Sequence, residues 1–175
     1  MGLVSAFAII RALSLFHLTL AFFFLTSPST IAEQNIVFVL GEAMRLPSPT
    51  SFSTPTPATG FLAVVLALLG LSDFTAASLP DEIARIYWAA QVPVRLLFLF
   101  VVTGYTYAFK PDGVLAKAGV GYKAGMGEGL KNRLVFTWGF LEVAAWVWVF
   151  ISLKDERRQA GIRLMEKRKA EENRL

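Results

Sequence analysis

Every long apolar stretch of this 175-residue chain is interrupted by at least one ionisable side chain. Arg11 and His17 fall in the first stretch, Asp73 in the second, Arg95 in the third and Glu142 in the fourth. A charge held at mid-bilayer costs roughly 2.5–3.5 kcal/mol even on a lenient insertion scale. Such groups are therefore expected to face one another rather than lipid. Counted from one membrane face at ~1.5 Å per residue, Asp73 and Arg95 lie about thirteen and fourteen residues deep, on consecutive antiparallel helices. The count predicts an Asp73–Arg95 pair, with Arg11 slightly deeper. His17 and Glu142 lie at a shallower common depth and form a candidate second layer. On a helix, Gln91 shares a face with Arg95, and Trp138 and Trp146 flank Glu142 one turn away on either side. The candidate intramembrane network is Arg11, His17, Asp73, Gln91, Arg95 and Glu142, with Trp138 and Trp146 as pocket lining.

Two kinds of chemistry fit that set. Buried charge pairs can simply specify helix packing. They can also line a polar cavity for a ligand or ion. Pro93, between Gln91 and Arg95, frees a backbone carbonyl, which is tolerated beside cavities or satisfying neighbours. Other chemistries are poorly served. The chain has no cysteine and one histidine, which excludes disulfides, thiolate sites and multi-histidine metal sites. No catalytic residue, metal or cofactor is expected. Lys117, Gly119, Gly121 and Lys123 lack the spacing of a phosphate loop and follow no strand. Glu33 and Glu42 resemble the loop acids of membrane glycosyltransferases, but four spans leave little room for such a catalytic domain.

The elements that must position these groups are four apolar stretches near the ~20-residue length of a membrane-crossing helix. They cover residues 4–26, 60–79, 83–109 and 134–153. Apolar residues make up 55% of the chain, above the ~45–50% of soluble domains. The expected fold is all-α: a four-transmembrane-helix bundle over residues 1–153, followed by a charged helical tail at 154–175. A cleaved signal peptide is the alternative for the first stretch, with Arg11 as its charged start. A mitochondrial presequence fits worse, because the first ten residues contain no basic side chain.

The connections have distinct characters. In the first loop, residues 31–46 mix apolar and charged side chains and suit an interfacial helix. Pro47, Pro49, Pro55 and Pro57 then predict extended chain. Pro80, Asp81 and Glu82 suit the start of the third helix. Tyr87 and Trp88 at one end, and Tyr105 and Tyr107 at the other, read as interfacial belts. The tail carries eight Lys/Arg and five Asp/Glu. Their interleaved signs suit a solvated helix beside an anionic membrane better than a nucleic-acid site. That basic tail favours cytosolic termini, although the last loop is also basic.

Several runs resemble a known family. They are Leu3-Val4-Ser5-Ala6-Phe7, Leu15-Phe16-His17-Leu18-Thr19-Leu20, Leu40-Gly41-Glu42-Ala43-Met44-Arg45-Leu46-Pro47 and Leu68-Leu69-Gly70-Leu71-Ser72-Asp73. Pro93-Val94-Arg95-Leu96-Leu97-Phe98 and Leu134-Val135-Phe136-Thr137-Trp138-Gly139-Phe140-Leu141-Glu142 complete the set. Together they resemble a fungal family named for an increased loss of mitochondrial DNA. The resemblance implies a multi-span endoplasmic reticulum protein; it carries over no catalytic residues, and its name describes a phenotype of mitochondrial DNA maintenance. The expected function is a non-catalytic accessory or scaffold subunit, partnered by membrane lipids and a further membrane protein, not by nucleic acid. The alternative is a small lipid- or sterol-binding protein with an intramembrane polar pocket. An ion-conducting protein would need a continuous polar path, and no filter-like motif repeats.

Overall fold

The computed structural model describes residues 5–110, 113, 115 and 127–172. The glycine-rich run with Lys117, Gly119, Gly121 and Lys123 lies outside the described residues, as do the first four residues and the last three. Among the described residues there is no strand. Helices α1 (Ala6–Thr26), α4 (Pro57–Ala76), α5 (Asp81–Ala108) and α6 (Arg133–Glu172) are each long and apolar enough to cross a membrane. Short helices α2 (Pro28–Ala32) and α3 (Asn35–Ala43) occupy the loop between the first two spans.

Three of the four long helices begin beside a side chain that accepts from their free N–H groups. Ser5 Oγ accepts from Ala8 N at 3.2 Å. Thr56 and Thr59 form a reciprocal capping box, with Pro57 in the first turn of α4. Asp81 and Glu82 occupy the first turn of α5, where the helix dipole favours negative charge. Asn132 Oδ1 accepts from both Leu134 N and Val135 N at 3.0 Å. Pro93 does not break α5, which runs through it for 28 residues. The proline-rich segment contains one short 3-10 turn, Thr50–Phe52, where extended chain alone was expected.

Helix α1 packs along α4, and α5 packs along α6; contacts between α1 and α6 join the two pairs. The backbones of α4 and α5 stand apart, although only residues 77–80 separate them, and the Asp73–Arg95 side chains bridge the gap. The bundle is therefore open along one side. Its apolar core is split in two. One cluster gathers Ala6, Phe7, Ile10, Ala77, Ala84, Trp88, Val92, Leu99, Trp146, Val149 and Leu153 toward the short-turn end. The other gathers Leu20, Ala21, Phe24, Ile31, Val37, Ala63, Leu66 and Leu134 toward the loop end. Polar residues Ser14, His17, Thr137 and Glu142 are buried as well. The outer surface is apolar too: Phe61, Leu68, Ile86, Leu97 and Val101 are each more than 60% exposed. A water-soluble monomer rarely displays that much contiguous apolar surface, whereas a bilayer covers it.

The run from Leu40 to Pro47 builds the lid of the loop end. Arg45 adopts a left-handed φ of 52° at the C-terminus of α3. There Leu46 N donates to Gly41 O at 2.9 Å and Arg45 N donates to Glu42 O at 3.0 Å, the paired bonds of a Schellman cap. Leu46 is buried, and Pro47 O accepts from Arg133 N at 3.1 Å. A side chain on Gly41 would overlap that of Arg133, so glycine allows α3 to lie directly on the start of α6.

Candidate functional site

Asp73 and Arg95 meet in a bidentate ion pair, Nη1 donating to Oδ2 and Nη2 to Oδ1. Asp73 is 2% exposed. The levels of the two residues differ from the equal-depth count. Asp73 lies in the last turn of α4, three residues before its end, whereas Arg95 lies fourteen residues into α5. Counted from the loop end, Asp73 is sixteen residues from Pro57 and Arg95 thirteen from Ala108, a mismatch of about 4–5 Å at ~1.5 Å per residue that the long guanidinium arm closes.

Arg95 has a second set of neighbours. Its guanidinium carbon lies 4.8 Å from the Trp146 ring centroid and 5.3 Å from that of Trp88. The two indoles stack on each other, 5.5 Å apart and 26° from parallel. A cation over aromatic faces gains ~0.5–2 kcal/mol, more when desolvated. Trp88 is fully buried, so it belongs to this box and not to an interfacial belt; Tyr87 beside it remains 38% exposed. The signal for Trp88 was its seven-residue spacing from Arg95, which puts both on one helix face.

His17 and Glu142 form the second layer. Both are buried, at 1% and 3% exposure. His17 Nε2 lies 3.0 Å from Glu142 Oε1, close enough for an ion pair but out of line for a hydrogen bond. Trp146 Nε1 donates to the other carboxylate oxygen, Oε2, at 2.9 Å. One turn away on the opposite side of Glu142, the Trp138 indole N–H is buried without a partner. Glu142 Oε1 and both His17 nitrogens likewise lack hydrogen bonds. Each such group costs about 1–3 kcal/mol when left dry.

These groups border a cavity of about 240 Å³. His17 and Leu69 contribute from α1 and α4, Gln91, Arg95, Phe98 and Leu99 from α5, and Trp138, Glu142 and Trp146 from α6. Because Phe98 is 62% exposed and the backbones of α4 and α5 stand apart, the cavity faces the open side of the bundle. Arg11 stands apart from this network. It is exposed, and its Nη2 donates to Ala77 O at 2.9 Å, capping the C-terminus of α4.

The family model "Increased loss of mitochondrial DNA protein 1" (Ilm1) matches residues 4–163. The chain belongs to this family. It is 27% identical over 149 residues to Protein ILM1 of Saccharomyces cerevisiae (strain ATCC 204508 / S288c). That alignment covers 85% of the chain and 64% of the yeast protein, so the chain spans less than two thirds of that relative's length. No solved structure matches. The Ilm1 match includes α1, α4, α5, the apolar part of α6 and every residue of the two charged layers, and it ends within the projecting part of α6.

Proposed function

We propose that this Ilm1-family chain is a multi-pass protein of the endoplasmic reticulum membrane, with both termini cytosolic, that serves as a non-catalytic accessory subunit. The observation that carries the reading is the continuity of α6, which runs unbroken from Arg133 to Glu172. Beyond Leu153 the helix has nineteen further residues, about 28 Å at 1.5 Å per residue. Glu156 Oε1 accepts from Ala6 N at 2.9 Å, tying the base of this arm to the start of α1. A charged helix held in this way is a stiff spacer suited to meeting a partner at a set distance from the membrane.

The test is affinity purification of the full chain in mild detergent, with native mass measurement. A membrane protein is expected to co-purify in fixed stoichiometry, and deletion of residues 159–175 is expected to release it while the bundle stays folded. A monomer without partner, or a partner held equally well without the arm, would refute the reading. From the family name, loss of the protein is expected to raise the loss of mitochondrial DNA.

A second reading, a ligand-binding membrane protein, is favoured by one feature: a cavity bordered by polar atoms of His17, Trp138 and Glu142 that make no hydrogen bond. Its test follows from the class of ligand.

A further inference from the structure

We propose that the cavity among the four long helices, lined chiefly by α5 and α6, binds the free hydroxyl group of a neutral membrane lipid, whose apolar body lies along the gap between α4 and α5. This inference rests on the ligand-binding reading above and specifies its ligand class.

Charge decides against an anionic head. Asp73 and Arg95 neutralise each other in their bidentate pair. In the second pair the one basic side chain, His17, faces the carboxyl of Glu142. Each basic side chain that lines the cavity is therefore matched by a carboxyl group, which leaves none unpaired for a phosphate or carboxylate. A quaternary ammonium is also poorly served, because the Trp88 and Trp146 faces are already occupied by Arg95.

The polar atoms that make no hydrogen bond fit a hydroxyl. Glu142 has an indole one turn away on each side, and Trp146 already donates to Oε2. Two groups without hydrogen bonds, the donor Trp138 Nε1–H and the acceptor Glu142 Oε1, the latter 3.0 Å from His17 Nε2, lie four residues apart on one helix face, where neighbouring Cβ atoms are about 5–6 Å apart. A hydroxyl oxygen between them accepts from Trp138 and donates to Glu142. An ether or ester lacks the donor half of that arrangement. The apolar part of the ligand has a route, since Leu69 and Phe98 border the cavity on α4 and α5, whose backbones stand apart there. A volume of about 240 Å³ takes a head and its first carbons, not a whole lipid, so the remainder extends into the bilayer.

The experiment is photolabelling of the full chain in nanodiscs with diazirine–alkyne probes. One arm uses a diacylglycerol probe and one a sterol probe, since either source carries the free hydroxyl. The controls are the methyl ether of each and a phosphatidic acid probe with the same chains. At least one hydroxyl probe should label peptides containing Leu69, Phe98 or Leu99, in competition with its unlabelled lipid and at least fivefold above its ether. Trp138→Phe keeps the ring and removes the N–H, so labelling should fall about fivefold to tenfold, the worth of one buried hydrogen bond. Leu69→Trp should fill the mouth and abolish labelling; the native fold of both variants is checked by melting temperature. Equal labelling by the ethers, or labelling unmoved by either variant, overturns the hydroxyl assignment. Phosphatidic acid labelling that Leu69→Trp abolishes would keep the ligand-binding reading and refute this ligand class. No labelling of cavity peptides by any probe would refute both.

Discussion

Neutralising the Asp73–Arg95 pair one side at a time separates two contributions that the geometry keeps distinct. Asp73→Asn leaves Arg95 against two indoles at 4.8 and 5.3 Å, so the cation keeps an attractive environment. Arg95→Gln strands a carboxylate that is 2% exposed and removes both cation–π contacts as well. Breaking a buried ion pair costs ~3–5 kcal/mol in soluble proteins, whereas interhelical polar contacts in membranes average nearer ~0.6 and reach ~1.7. A bidentate, nearly dry pair belongs between these limits. About 2 kcal/mol is expected for Asp73→Asn, and about 3–4 for Arg95→Gln once a cation–π loss of ~1 is added. At ~2–4 °C per kcal/mol for a chain of this length, the melting temperature in detergent should fall by about 4–8 °C and about 6–16 °C respectively. The double variant should lose less than the sum by ~1–2 kcal/mol, because the second substitution removes the charge that the first left stranded. Strict additivity, or Asp73→Asn more damaging than Arg95→Gln, would refute the reasoning.

The remaining predictions concern packing, the α3 turn, the arm and orientation. A Cβ on Gly70 would lie 2.8 Å from Ser14 O and 3.1 Å from Leu18 Cγ; Gly70→Val should force α1 from α4 and cost ~1–3 kcal/mol, read as a lower melting temperature. Arg45→Gly should raise stability by ~0.5–1 kcal/mol, because the left-handed φ of 52° suits glycine, and an unchanged or lower melting temperature would count against it. Truncation after Arg158 should leave bundle stability within ~0.5 kcal/mol, since the described side chains of residues 161–172 are exposed. Glu156→Ala should cost ~1 kcal/mol by leaving the Ala6 N–H without its acceptor. Protease added to intact microsomes should remove a C-terminal tag, and full protection of the tag would reverse the proposed orientation.

Composition and spacing determined how many apolar helices form and which residues could not face lipid. Four stretches of suitable length predict four long helices, because apolar length is a local property. Their ends moved by only a few residues where caps were legible: Pro57 starts α4 three positions earlier than residue 60, and Pro80 precedes α5 as expected. The cost of buried charge singled out Asp73, Arg95, His17 and Glu142, and the structure brings them together in two pairs. Tertiary structure decided what depth counting could not. Arg11 turned outward onto the end of α4, because a long side chain near a helix end can reach an unpaired carbonyl. Trp88 turned inward, because an aromatic near a helix end can serve either an interface or a core, and its neighbours choose. The open side between α4 and α5 and the cavity behind it leave no periodic signal. They follow from which helices pair, and pairing depends on close contacts such as Gly70 against Ser14 and Gly41 against Arg133, made between residues far apart in the chain.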